Sequence, residues 1–232
     1  MVENLFGIGF YTIPEASHLL QMDAHTIRRW AKGYSYRLNE TVNKVKPLIK
    51  TSVPIVDDKF VLSFLELIEL YVVKRFLDNK IPLQKIRLAA IRAAEILKVN
   101  NPFAYRLFKF RGKSIFMEQS LSESESTLLE LCRNQYAMQE IMRFYLQEID
   151  FNELDSPNKA LRWFPLGKNC PIVIDPQIAF GKPVVLDTRI PAETLYRDYL
   201  AEKSIERVAD WYEIEVDKVK AAIMFMESFK AA

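Results

Sequence analysis

The stretch YTIPEASHLLQMDAHTIRRWAK, Tyr11 to Lys32, decides the fold of the N-terminal half of the chain. Thr12 to Glu15 has the T-x-x-E form of a capping box, in which the threonine hydroxyl accepts the Glu15 amide, so a helix begins here. Gln21 and Met22 make a turn, and Asp23 can cap a second helix that runs to about Lys32. The stretch predicts two short helices joined by a tight turn, which is a helix-turn-helix.

The second helix has an apolar side and a cationic side. Ile27 and Trp30 are spaced to face inward. The residues left outside are His25, Thr26, Arg28, Arg29 and Lys32. Cations suit phosphate groups and short polar side chains suit base edges, so this helix fits the major groove of duplex DNA. Exposed arginines also occur on capped helices that never touch DNA, and simple solvation is the alternative interpretation.

The segment that follows adds further candidates for DNA contact. Tyr34 to Thr51 reads as a long connection, and its Tyr34, Arg37 and Lys50 lie close in sequence to the second helix. We expect them to contact DNA backbone, with a solvated loop as the alternative. Val53 to Leu62 reads as a small hairpin in the position of a wing.

Two helices complete the N-terminal half. Ser63 to Glu66 is a second capping box and starts a strongly apolar helix that runs to about Leu77. Pro82 suits the first turn of the next helix. The spacing places the apolar residues of this helix inward and three cations, Lys85, Arg87 and Arg92, outward.

The middle of the chain has a different pattern. Arg106 to Glu118 predicts two short strands around Gly112, and residues 120–126 predict a polar loop. Thr127 to Ile149 predicts a long amphipathic helix, and Phe151 to Leu161 has the composition of a linker.

The last part of the chain predicts a strand at Ile172 to Ile174 and then three helices. These helices end at about Leu200, at Tyr212 (after a Ser204 cap) and at Phe229. They suggest a second helix-turn-helix, but the charge from 159 to 232 sums to zero. We therefore expect Arg189 to be a structural anchor that pairs with an acid or a carbonyl, and not a phosphate contact.

Charge and composition narrow the possible functions. Residues 74 to 113 carry a net charge of +9, whereas residues 114 to 158 carry −7, although the whole chain carries only +2. This segregation indicates a polyanion-binding surface on one part of the molecule.

Two histidines and two cysteines, with no metal-binding spacing or glycine-rich phosphate loop, predict no metal, no cofactor and no enzymatic activity. No signal peptide or membrane span is expected, so we predict a cytoplasmic protein.

The predicted fold class is mainly α with short β-hairpins (α+β). Two helix-turn-helix-like domains, residues 1–99 and 161–232, are joined by a middle region, residues 100–160, with a hairpin and an amphipathic helix. The first of these domains would be the winged helix-turn-helix.

The N-terminal half resembles the DNA-binding domain of the MerR family. The resemblance rests on YTIPEA…TIRRW, on the apolar helix and on the IPLQKIR sequence from Ile81. It implies that Thr26, Arg28 and Arg29 enter the major groove and that a wing around Lys50 grips the backbone. The connection from Tyr34 to Thr51 is longer than the family's wing, and no MerR-type effector domain with cysteine ligands follows.

The C-terminal part resembles a small family of domains of unknown function found in VapB-type antitoxins. The pattern DPxIxFGKPVxxxTRIPxxxL and the helices behind it carry this resemblance. Two departures stand at turns: Asp187 replaces a usual glycine, and Glu202-Lys203 stands where a glycine is common.

Together the two resemblances imply an antitoxin of a type II toxin–antitoxin system. It would bind operator DNA as a homodimer, repress its own operon and neutralise a PIN-domain ribonuclease toxin of the VapC type. The alternative is a stand-alone MerR-like transcriptional regulator with a C-terminal partner- or ligand-binding domain. A third possibility, a nucleic-acid enzyme or a nonspecific scaffold, would need clustered acids or a metal site.

Overall fold

The computed structural model of the protein describes residues 7–51, 60–105, 108–111, 114–122, 125–130, 135–137, 147–152 and 158–230. The fold is α+β, as predicted. The described helices are α1 Ile13–Leu20, α2 Ala24–Lys32, α3 Phe64–Asp78, α4 Leu83–Leu97, α5 Ala192–Glu202, α6 Ile205–Tyr212 and α7 Val216–Lys230. They are accompanied by short antiparallel sheets.

The helix-turn-helix forms where the sequence predicts it. Thr12 makes the capping box with Glu15 at the start of α1, and the Asp23 carboxylate accepts the Thr26 amide at the start of α2. Leu20 and Ile27 are buried where the two helices meet. A two-residue strand before α1, β1 Tyr11–Thr12, pairs with β4 Val61–Leu62 and ties the start of the motif to α3.

One hairpin forms in a segment for which no hairpin was predicted. It consists of β2 Tyr34–Leu38 and β3 Thr41–Val45, within the segment predicted to be a long connection. Of the hairpin predicted from Val53 to Leu62, only the second arm is described, and there Val61–Leu62 pairs with β1. Residues 52–59, which hold its first arm, lie outside the described residues.

Helix α3 is the central, buried helix of the N-terminal half. Its capping box at Ser63 and Glu66 is confirmed, and most of its circumference is buried. It also buries Glu69, whose Oε2 accepts the Ala104 amide at 3.1 Å and so anchors the short 3₁₀ helix Pro102–Ala104. Helix α4 packs beside this turn through Ile86 and Ala93.

The cations of α4 are less exposed than predicted. Lys85, Arg87 and Arg92 are half-buried, and Arg87 Nη1 donates to the carbonyls of Lys46 and Pro47 at 2.9 and 3.3 Å. Burial lowers the pKa of Arg87. This arginine therefore holds the exit of the hairpin against α4 and does not project freely into solvent.

The middle region is a four-stranded antiparallel sheet, with strands in chain order. The strands are β5 Phe108–Arg111, β6 Ser114–Ser122, β7 Glu125–Glu130 and β8 Gln135–Ala137. The two strands predicted between residues 106 and 118 are confirmed. The predicted helix from Thr127 and the predicted loop at 120–126 are wrong, because β6 and β7 pair across these residues. Residues 131–134 and 138–146 of that predicted helix lie outside the described residues.

A second four-stranded sheet underlies the C-terminal helices. Its order is β12 (Pro183–Val185), β11 (Ile172–Ile174), β10 (Ala160–Trp163), β9 (Ile149–Phe151). Strands β9 and β10 occupy both ends of the predicted linker, which is therefore wrong there. The three predicted C-terminal helices are confirmed as α5, α6 and α7, with the Ser204 cap in place.

The first and last parts of the chain are in direct contact. The buried hydroxyl of Tyr11, the residue before the α1 cap, donates to the carbonyl of Gly181 at 2.9 Å. Gly181 has φ +82°, and a Cβ at this position would overlap the Tyr11 hydroxyl. Burial raises the pKa of Tyr11 above its ordinary value, chiefly by desolvation. The contact between Tyr11 and Gly181 therefore fixes the helix-turn-helix to the loop before β12.

Among the described residues, none of the helices combines the length and the apolar character needed to cross a membrane.

Candidate nucleic-acid interface

Helix α2 is held firmly at both ends. At its start, the hydrogen bond from the Thr26 amide lowers the pKa of the Asp23 carboxyl. At its end, the Trp30 carbonyl accepts the amides of Leu48 and Ile49 at 2.7 and 3.3 Å. Because the chain returns to α2 after the hairpin, helix and hairpin form one rigid surface.

The outward side of α2 carries the predicted cations. His25, Arg28 and Lys32 are exposed, Thr26 and Arg29 are half-buried, and Ile27 and Trp30 are buried, as the spacing predicts. Within the described part of the chain, Arg28, Arg29 and Lys32 form no ion pair with a carboxylate. No carboxylate of the described residues neutralises these three charges, which suits contact with an external anion.

Two of the cations are oriented by aromatic rings. The Arg29 guanidinium carbon lies 3.8 Å from the centre of the Tyr34 ring, and Lys32 Nζ lies 4.6 Å from the centre of the Phe60 ring. A ring face attracts a cation and reduces its conformational freedom without neutralising it. Both side chains therefore keep their charge in a restricted position.

The hairpin separates its candidate residues onto two faces. Tyr34 and Tyr36 lie on one face, with their ring centres 6.2 Å apart, and Tyr34 reaches Arg29. Arg37 follows Tyr36 along the strand and therefore lies on the other face, which it shares with Lys44, the cross-strand partner of Ser35. The structure brings Tyr34 to the α2 surface and leaves Arg37, which is exposed, on the back of the hairpin.

The base of the hairpin leaves no room for a side chain at Gly33. Gly33 has φ +72°, and a Cβ there would lie 2.5 Å from the Val45 carbonyl oxygen. Lys50, beyond this base, is exposed, and its carbonyl accepts Asn101 Nδ2 at 3.2 Å. Lys50 therefore projects into solvent from a backbone that is fixed by Asn101.

Sequence reasoning missed one residue of this surface. Tyr36 is 45% exposed on the face of the hairpin that adjoins α2. The signal was present in the alternation Tyr34-Ser-Tyr36 and in Asn39, a residue that favours the left-handed turns of tight hairpins. Asn39 and Glu40 have φ of +46° and +62°.

Two further side chains outside this surface, Arg189 and Cys170, bear on the sequence predictions. The structural-anchor prediction for Arg189 is wrong: its side chain is exposed and pairs with no acid or carbonyl of the described residues. Burial raises the pKa of the half-buried Cys170 thiol, which makes the thiolate less accessible. No group of three or more metal-ligating side chains occurs in the ranges that the structure describes.

Two family models match separate segments of the chain. Residues 9–94 match a family model described as "Putative DNA-binding HTH domain". Residues 172–226 match the model "Protein of unknown function (DUF433)". The candidate interface lies in the first of these regions.

Two relatives extend over nearly the whole chain. A Mycobacterium tuberculosis (strain ATCC 25618 / H37Rv) protein named "Putative antitoxin VapB45" is 27% identical over 233 residues, which cover 96% of this chain and 95% of that protein. The crystal structure of Rv2018 from Mycobacterium tuberculosis matches with a TM-score of 0.63 at 21% identity. This match covers 94% of this chain and 99% of that one. The likeness to Rv2018 shows a shared fold.

Proposed function

We propose that this chain is a cytoplasmic, non-catalytic antitoxin of the VapB type that binds operator DNA through α2 and the β2–β3 hairpin. In this proposal it represses its own operon as a homodimer and neutralises a PIN-domain ribonuclease toxin. The match to a DNA-binding helix-turn-helix model and the likeness to a protein named as an antitoxin support it. The MerR-like mode, with α2 in the major groove and the hairpin on the backbone, is part of the proposal.

One observation supports the DNA-binding part of the proposal. Arg28 and Lys32 are exposed on one side of a short capped helix, and the Arg29 guanidinium is stacked on the hairpin beside them. Charges on a protein surface are usually balanced by solvent alone. These cations are better placed to bind DNA because they stand on a helix that is held at both ends. A rigid row of cations can match the spacing of backbone phosphates.

The test is fluorescence anisotropy with duplex DNA from upstream of the chain's own gene. Arg28→Ala with Lys32→Ala should weaken binding and lower the slope of log affinity against log salt by about two, because each phosphate contact contributes about 0.9. The matched control is Arg189→Ala with Lys220→Ala, which removes the same charge from exposed positions of the C-terminal region. Equal affinity and slope for the two double variants would exclude α2 as the reading helix.

The toxin and dimer parts need separate measurements. Co-expression with the product of the adjacent gene should give a stable complex on size exclusion if that product is the toxin. An adjacent gene unrelated to PIN-domain ribonucleases would oppose the antitoxin assignment. Light scattering of the free protein should give twice the mass of 27.1 kDa, because helix-turn-helix dimers match the two-fold symmetry of operators.

A further inference from the structure

Helix α6 presents an exposed tryptophan in its last turn. The side chain of Trp211 is 61% exposed, whereas Tyr212 beside it is half-buried. A single exposed apolar side chain is ordinary on a protein surface, so its surroundings decide whether it has a role. Tryptophan is among the residue types that dominate the energy of protein–protein binding. The backbone and the charges around Trp211 are therefore informative.

The backbone on either side of Trp211 is fixed. After the helix, the Ile214 amide donates to the carbonyl of Ala209 at 3.0 Å, which closes the last turn. The hydroxyl of Tyr212 donates to Asp198 Oδ2 at 2.5 Å and so ties the end of α6 to α5. A preformed surface loses little conformational freedom when a partner binds. The exposed indole is therefore presented from a rigid support.

The chain around Trp211 is acidic. Residues 206–217 contain five acids and one base, which gives a net charge of −4. The base, Arg207, is already paired with a carboxylate at the end of α5. Asp210 and Glu213, which stand before and after the tryptophan, are exposed and form no ion pair with a cation of the described residues. An exposed indole is thus flanked by two unpaired carboxylates.

The cations at the start of α7 are also engaged. Lys218 Nζ lies 3.8 Å from Glu215 Oε2, and Lys220 Nζ lies 3.2 Å from Asp217 Oδ1. These pairs leave the two acids beside Trp211 without a cation of their own. Unpaired carboxylates repel nucleic acids and anionic lipids, and they attract a cationic protein surface.

We propose that Trp211, Asp210 and Glu213, here called the Trp211 surface, dock the cationic RNA-binding surface of the ribonuclease toxin. A ribonuclease needs cations to bind the phosphates of its substrate, so its RNA-binding surface complements these carboxylates. The indole supplies the apolar anchor between the charged groups. This inference rests on the proposed toxin partner. It assigns toxin binding to a surface separate from α2 and the hairpin, and a toxin held there cannot bind RNA through the same cations.

The first test measures calorimetric binding of the full-length chain to the purified PIN-domain product of the adjacent gene. Trp211→Ala should weaken this binding at least ten-fold, because it removes the anchor. Met224→Ala is the matched control, since Met224 is 63% exposed on α7. Its affinity should stay within about two-fold of that of the parent chain.

A second pair of variants tests the charge of the Trp211 surface. Asp210→Asn with Glu213→Gln keeps the shape of both side chains and should lower both the affinity at low salt and the salt dependence of binding. Glu193→Gln with Glu227→Gln removes the same charge from exposed positions of α5 and α7. Equal affinity and salt dependence for the two double variants would overturn the assignment of the acids.

Three further results distinguish the possible failures. All variants should bind DNA from upstream of the gene as the parent chain does, which establishes that they are folded. If the parent chain and folded Trp211→Ala bind the PIN-domain product equally tightly, the docking surface is wrong and the toxin partner stands. If the parent chain does not bind this product, the toxin part of the proposed function fails and this inference fails with it. If Trp211→Ala instead abolishes self-association in light scattering, the surface binds a second copy and the proposal is overturned.

Discussion

The guanidinium carbon of Arg29 lies 3.8 Å above the ring of Tyr34, and this contact joins α2 to the first strand of the hairpin. Arg29 is the least exposed of the three cations on the outward side of α2. The Tyr34 ring restricts the Arg29 side chain to the side of α2 that also carries Arg28 and Lys32. The contact does not remove the charge of Arg29. The two candidate DNA-contacting elements therefore act as one unit.

Removal of the Tyr34 ring should weaken DNA binding although the charge of the protein is unchanged. A cation–π contact at a partly exposed site contributes about 0.5–1 kcal/mol, so Tyr34→Leu should lower affinity by roughly two- to five-fold. Anisotropy titrations with duplex DNA from upstream of the gene measure this change.

The conservative variant Tyr34→Phe provides the control. Phenylalanine keeps the ring face beneath Arg29 and loses only the hydroxyl group. Affinity close to that of the parent protein is expected. A loss as large as that of Tyr34→Leu would mean that the hydroxyl, and not the ring, matters.

The junction between Tyr11 and Gly181 should be intolerant of a single methyl group. Gly181→Ala forces a Cβ into the Tyr11 hydroxyl and places alanine at φ +82°. We expect a loss of roughly 2–4 kcal/mol in the free energy of unfolding, measured by chemical denaturation.

Gly167→Ala isolates the backbone part of that loss. Gly167 has the same φ of +82°, but a Cβ there meets nothing within 4 Å. Its variant should lose only the conformational penalty of about 1–2 kcal/mol. If the two alanine variants are equally destabilised, the contact with Tyr11 contributes nothing.

A glycine at the end of α5 should stabilise the protein. Lys203 caps α5 with φ +59°, a left-handed conformation that costs a non-glycine residue about 1–2 kcal/mol. Lys203→Gly removes this strain, and the added freedom of the unfolded chain offsets part of the gain. The expected result is an increase of roughly 0.5–1 kcal/mol in the free energy of unfolding.

The control for this change lies two residues earlier in the same helix. Ala201 is exposed inside α5, so Ala201→Gly should destabilise by about 1 kcal/mol. The prediction requires that Lys203→Gly raises the free energy of unfolding and that Ala201→Gly lowers it. A destabilised Lys203→Gly variant would show that the side chain of Lys203 matters more than its backbone conformation.

Buried Glu69 should make stability fall as pH rises. Burial raises the pKa of Glu69 well above its ordinary value of 4.5, and hydrogen bonds from the Phe103 and Ala104 amides only partly oppose this. Above pH 4.5 the unfolded chain loses this proton while the folded chain keeps it, so rising pH favours unfolding until the folded-state pKa is reached.

Glu69→Gln keeps an acceptor oxygen for the Ala104 amide and cannot ionise. Relative to this variant, the parent protein should lose up to about 1.4 kcal/mol of unfolding free energy per pH unit above pH 4.5. Glu227→Gln, at an exposed position of α7, should leave the pH dependence unchanged. Parallel curves for the parent and Glu69→Gln would contradict the prediction.

Local sequence signals predicted the helix starts well. The caps at Thr12, Asp23, Ser63 and Ser204 each place a hydroxyl or carboxylate within three residues of the amide that it accepts. Such contacts depend on a few consecutive residues, so they can be read without the rest of the fold. The outward side of α2 followed from the same short-range periodicity.

Pairing between distant segments was harder to predict. Leu128 and Leu131 fit a helical stripe, but residues 125–130 form β7 because β6 offers them a matching antiparallel edge. Likewise, Val61–Leu62 pairs with β1, about fifty residues away. The Tyr34 ring under Arg29 was also unpredicted, since it requires the hairpin to fold back along α2.

The hydrogen bond between Tyr11 and Gly181 joins residues 170 positions apart. During synthesis the ribosome releases the helix-turn-helix long before it releases the loop that fastens its first residue. In a nascent or prematurely terminated chain, the Tyr11 hydroxyl would still lack its acceptor. Completion of translation is therefore a precondition for the full bracing of the helix-turn-helix.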